Sequence, residues 1–81
     1  LTALVVLPDG RIGMAGVTAP AVALHLGGAL RLGAFPRASM PDAAISGAGT
    51  IIYVPDAAGG AVIAFSDGVV WRRVTDRMIV A

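Results

Sequence analysis

Five residue types are absent from this sequence: cysteine, lysine, glutamate, asparagine and glutamine. Without cysteine there is no disulfide staple, no thiolate nucleophile and no cysteine-based zinc site. The compartment stays open, because a cysteine-free chain tolerates any redox poise. Without lysine there is no Walker-type phosphate loop, and the Gly-rich spots at Gly13–Gly16 and Gly27–Gly28 lack the spacing of a dinucleotide fingerprint. Every cation is Arg and every anion is Asp, six and five of them, beside a single His. Charged residues make up 14% of the 81 positions, well below the roughly 25% of an average globular chain.

What fills the gap is apolar: 57% of the residues are hydrophobic. A lone monomer of this size buries only about 60% of its unfolded surface and leaves the rest in water. Too few polar side chains are present to coat that remainder. The composition therefore points to a chain that hides surface against other chains. It also excludes intrinsic disorder, which needs low hydrophobicity and high charge.

Net charge is +1, and the Arg residues are spread from Arg11 to Arg77. Their local cluster is Arg72-Arg73, with Asp76 and Arg77 close behind. A nucleic-acid binder needs a denser basic stripe with interleaved aromatics, so no nucleic-acid partner is expected. The longest uncharged stretch, residues 12–30, approaches the length of a membrane span. Gly13, Gly16, Pro20, His25, Gly27 and Gly28 interrupt it, and it is read as non-membrane. No basic segment leads an apolar core at the N-terminus, so no signal peptide is expected. The chain opens on Leu1, read as the loss of a start residue or a cut from something longer.

Eleven Gly and five Pro punctuate the chain, and no long window keeps a helical apolar pattern. Short β-type runs between turn signals remain. Residues 4–7 are apolar and end at Pro8-Asp9-Gly10; residues 11–14 form a second run. Val22, Leu24 and Leu26 then alternate with Ala21, Ala23 and His25, which is strand period. After the Gly27-Gly28 turn, Leu30 and Leu32 alternate around Arg31. Residues 34–49 hold Pro36, Pro41, Gly47 and Gly49 and read as a linker, with a helical turn over 40–45 that Pro41 would open. The last third reads as a three-stranded meander: residues 50–54, 61–65 and 69–74, joined by turns at 58–60 and 66–68. Asp67-Gly68 between two apolar runs is among the strongest short hairpin signals. Residues 78–80 are expected to close this unit.

The candidate reactive residues reduce to structure. His25 has no Ser, Asp or Glu near it in sequence and is expected at solvent or at a subunit seam. Asp9 and Asp67 precede Gly in turns, and Asp56 follows Pro in one. Asp76 is expected to pair with Arg73 or Arg77. No catalytic constellation, metal site or cofactor site emerges, so no enzyme activity and no cofactor are expected. Tyr53, Phe65 and Trp71 fall one per strand of the meander, favouring cross-strand packing over a sugar platform. Arg73 or Arg72 is expected to hold an Asp of the same or an adjacent chain through a charge-assisted, bidentate contact. Tyr53, Trp71, Arg72, Arg73 and Asp76 are thus the candidate glycan or inter-chain contacts. A small carbohydrate-binding module using Tyr53, Trp71 and Arg72 on one face is the alternative reading.

Two segments carry a resemblance. In residues 9–28, Gly10, Ile12, Gly13, Pro20, Leu24, Leu26 and Gly28 stand at matching positions of a recurring unit of phage tail-fibre proteins. Met14 and Val17 depart from it, and the spacing before Pro20 is one residue longer. Residues 51–76, with AFSDG and WRRVTD, resemble a C-terminal element of fibre-like proteins of phages and of prophage-type particles, gene transfer agents included. The resemblance implies a structural component of a phage-like virion, a tail fibre or a head spike, assembled in the bacterial cytoplasm. It implies an all-β, intertwined homo-oligomeric fibre with a small meander tip: a trimer, or a pentamer at a head vertex. Other virion proteins and a host surface polysaccharide are the implied partners. The expected organisation is a fibre-like repeat over 1–33, a linker over 34–49 and a tip over 50–81.

Overall fold

The computed structural model describes residues 4–81, and its chain divides into two compact units, Leu1–Arg31 and Leu32–Ala81. Residues 1–3 of the expected repeat segment lie outside the described residues. Both units are built on strands with little helix, so the fold is all-β.

In the first unit, β1 (Leu4–Val6) pairs antiparallel with β2 (Ile12–Met14), Val5 opposite Gly13. The turn between them follows from Pro8-Asp9-Gly10. Gly10 takes φ +90, a left-handed conformation that a side chain resists. Leu7 and Arg11 close the turn through a backbone bond of 2.9 Å. β3 (Leu24–Leu26) then pairs parallel with β2, Gly13 opposite His25. The expected strand from Pro20 is therefore shorter, and Val22 precedes it, exposed. Leu30 and Leu32 form no strand.

Residues 15–23 link β2 to β3, and their backbone doubles back tightly beneath the sheet. A Cβ on Gly13 would sit 2.3 Å from the Val17 carbonyl oxygen, and one on Gly27 equally close, at 2.3 Å, to that of Ala15. Only glycine allows this approach. One face of the sheet thus carries Val5, Gly13 and His25, with the chain's own backbone against Gly13. The other carries Leu4, Val6, Ile12, Met14, Leu24 and Leu26. No large hydrophobic side chain of this unit's described residues is buried.

The second unit holds the core. β4 (Ile51–Val54), β5 (Val62–Ser66) and β6 (Trp71–Arg73) form the expected antiparallel meander. Burial alternates along β4 and β5, as one covered sheet face requires. Ile52, Val54, Val62, Ala64 and Trp71 point inward, joined by Ala43, Ala57 and Val80. The return over 78–80 closes the unit: Ile79 bridges Arg72, and the Val80 N–H donates to the Trp71 carbonyl over 3.0 Å.

Two expected elements differ. Strand β6 begins at Trp71, because Asp67 Oδ1 accepts the N–H groups of both Val69 and Val70 and holds them in the turn. The helical segment near 40–45 is a 3-10 turn at Arg37–Ser39 followed by α1 at Ala43–Ser46. Asp42, rather than Pro41, starts α1: its side chain accepts the Ile45 N–H over 3.0 Å as an N-cap. Residues 34–49 do not stand between two units but belong to the second. The Phe35 N–H donates to the Tyr53 carbonyl over 2.8 Å, and Phe35 and Met40 pack against the core.

Val54 is fully buried, whereas Val69 is 75% exposed. Val54→Ala is expected to lower unfolding stability by about 2 kcal/mol, and Val69→Ala by under about 0.5 kcal/mol, read by urea denaturation with Trp71 fluorescence. Gly13→Ala is expected to abolish amide-exchange protection at Ile12 and Gly27, whose N–H groups bond the carbonyls of Ala23 and Met14.

Candidate functional site

The candidate residues of the strands fall on opposite faces of the meander, and Asp76 lies in the turn after β6. Trp71 pairs with Ser66 on the inner face and is 5% exposed. Its indole N–H donates to the Pro41 carbonyl over 2.7 Å, so both its surface and its one polar atom are already engaged. Tyr53 pairs with Ile63 on the outer face and is 37% exposed. Arg72 pairs with Phe65 on that same outer face. A sugar platform of Tyr53, Trp71 and Arg72 on one face is therefore not formed. Side chains alternate along a strand, and Trp71 precedes Arg72 directly.

The arginines are held within the chain. Arg72 donates through Nε to Asp67 Oδ2 and through Nη1 to the Arg77 carbonyl, the latter over 3.0 Å. The expected carboxylate partner exists, but the bidentate geometry does not, because the guanidinium is shared between a carboxylate and a backbone oxygen. Arg73 donates through Nη1 to the Ala58 carbonyl over 2.8 Å. Its Nε is buried without a hydrogen-bond partner and lies 3.4 Å from Asp76 Oδ1. Asp76 in turn accepts the Met78 N–H over 3.0 Å and shapes the return that follows β6.

Asp67 is the most perturbed group. The Val70 N–H, the Arg72 guanidinium and the Val69 N–H hold its carboxyl down to about 2 from 3.8. The Asp67-Gly68 pair marked the turn in sequence. Nothing in the sequence showed that this carboxylate gathers two amides and an arginine.

The same use recurs at every carboxylate. Asp9 accepts the Arg11 N–H and Asp56 the Arg37 N–H, over 3.1 and 2.8 Å. With Asp42, Asp67 and Asp76, all five Asp bond a backbone amide. The half-buried His25 accepts the Ala21 N–H on Nδ1 over 3.1 Å, which places the proton of the neutral ring on Nε2. Among the described residues no group of three or more His, Cys, Asp or Glu is arranged to hold a metal ion. An open, mostly apolar groove beside Trp71 is lined by Met40, Asp42, Val69, Val70 and Ile79. The Asp42 carboxylate is tied to its helix cap.

The outer sheet face has a different character. Ile51, Tyr53, Ile63 and Phe65 lie together there, three of them exposed, with Arg72 as the charged neighbour. What this unit offers a partner is apolar surface. No protein-family model, no curated protein and no solved structure matches the chain.

Asp67 contributes stability that is fully present above 3.8 and is lost as pH falls through about 2. Asp67→Asn keeps the Oδ1 acceptor and removes the charge. The stability gap between wild type and this variant is expected to close over that window, read by urea unfolding at stepped pH. Trp71→Phe leaves the Pro41 carbonyl unpaired and is expected to cost about 2 kcal/mol, read by circular dichroism.

Proposed function

We propose that this chain is a structural component of a phage-like particle, a tail fibre or a head spike, that works as a homo-oligomer. The observation that carries the reading is the placement of its apolar side chains. Fourteen large hydrophobic residues among those described are exposed, against eight hydrophobic residues in the core, three of them Ala. Monomeric soluble proteins rarely leave large contiguous apolar patches open. With eleven ionisable Arg and Asp side chains bound up largely in turns and caps, the surface has little else to recognise a partner with. Sister chains that complete each other's cores account for this.

The resemblance of residues 9–28 and 51–76 to phage fibre elements supports the same reading, with a trimer or a pentamer as the assembly. Other virion proteins anchor it in this reading, and its tip contacts a host surface polysaccharide. The residue available for that contact is Tyr53 on the outer face, since Trp71 is inside.

Light scattering coupled to size exclusion tests the assembly. The expected mass is three or five times the 8.1 kDa chain at micromolar concentration. A stable monomer under those conditions would refute the proposal.

A further inference from the structure

His25 is the single histidine of a chain without cysteine. Histidine is the side chain whose charge ordinarily changes between about pH 5 and 8. In the second unit, Asp67 keeps its charge down to about 2. A step into mild acid therefore falls first on one side chain, and that side chain lies in the first unit. His25 sits at the centre of β3, opposite Gly13 of β2. Its Nδ1 accepts the Ala21 N–H over 3.1 Å and closes residues 21–25 into a loop. Of residues 18–22, Ala21 alone finds a hydrogen-bond partner among the described residues. Ala21 follows Pro20, which with Gly13 makes up the buried set among this unit's described residues. On either side the segment is tied by backbone. The Val17 N–H donates to the Met14 carbonyl over 3.3 Å, and the Ile12 N–H to the Ala23 carbonyl over 2.8 Å. His25 thus pins the middle of the segment that joins β2 to β3.

The ring accepts at Nδ1 only while it is neutral, with its proton on Nε2. A second proton must go to Nδ1, where the lone pair lies. An N–H then faces an N–H, and the two part. No free carboxylate of this unit stands ready for the imidazolium. β1, β2 and residues 15–23 carry no ionisable side chain. The charged side chains of the unit are Asp9, Arg11 and Arg31. Arg11, just before β2, engages both Asp9 oxygens: Oδ2 from its Nε over 2.7 Å, and Oδ1 from its N–H over 3.1 Å. We infer that the Ala21–His25 bond is an acid-released latch. Protonation of His25 frees the segment between β2 and β3 and leaves the second unit folded. The stability from this bond is full while His25 is neutral and is lost as falling pH protonates the ring.

The test is an acid titration of the isotope-labelled chain by NMR, from about pH 8 to about pH 5. Amide exchange at Ala21, corrected for the intrinsic rate, is expected to speed about fivefold, the effect of losing one hydrogen bond. This rise is expected to share its midpoint with the ring nitrogen shifts of His25, while the Trp71 indole N–H keeps its protection. His25→Asn places Oδ1 where Nδ1 stands and does not titrate in this window. Its Ala21 exchange is expected to stay flat. Ala21 exchange that ignores acid, departs from the ring's midpoint or moves equally in His25→Asn would overturn the latch. Loss of Trp71 protection over the same window would overturn it too, because the second unit would then be unfolding.

Discussion

The second unit depends on one buried seam between segments distant in sequence. Ser66, 1% exposed, donates its hydroxyl proton to the Ala43 carbonyl over 2.7 Å. Trp71, its partner across the hairpin, donates its indole proton to the Pro41 carbonyl. These two bonds lay residues 41–43 over the inner face of the meander. A buried donor without such a partner costs about 1–3 kcal/mol, so the polar tips of Ser66 and Trp71 specify what may cover the sheet. Residues 34–49 are irregular because they serve as that cover, with carbonyls turned to the sheet and Ala43, Met40 and Phe35 supplying the contact. With the inner face closed this way, Ile51, Tyr53 and Ile63 of the outer face are left exposed.

The carboxylates explain why so little charge is left free on the surface. Each of the five Asp bonds a main-chain amide, and in four cases that amide lies two or three residues further on. A short side chain that satisfies nearby amides favours turns and caps over helix or strand interiors. In a chain with eleven Gly, this fixes where the strands stop. The cations follow: Arg11, Arg72 and Arg73 turn to Asp residues or to carbonyls of their own unit. Little charge remains to steer an encounter or to read an acidic ligand.

Much of the fold was legible. The turn at Pro8-Asp9-Gly10, the meander and the closing return were written in period-two alternation and in Gly and Asp turn chemistry. The start of β6 was misplaced because Val69 and Val70 have strand propensity, and a captured amide overrides propensity. Pro41 is a good first helical residue, but the Asp42 side chain caps one step later. The candidate site was legible as a set of residues and not as a surface. Tyr53, Trp71 and Arg72 looked like one aromatic and basic patch, whereas the register sets Trp71 against Ser66 inside and Arg72 against Phe65 outside.

By itself the sequence determined that the chain forms short strands between tight turns. It also determined that the chain lacks cysteine and lysine chemistry, and that it is rich in apolar and poor in charged residues. Those are local or compositional properties, set by backbone preference, periodicity and counts. Only the tertiary structure decided which face of each sheet is covered. Alternation divides a strand into two faces and says nothing of which one meets a cover, since the cover comes from elsewhere in the chain. For the meander it comes from residues 41–43, about thirty positions before Trp71. For β1, β2 and β3, the backbone of residues 15–17 closes the glycine face. The six large apolar side chains are left on the other.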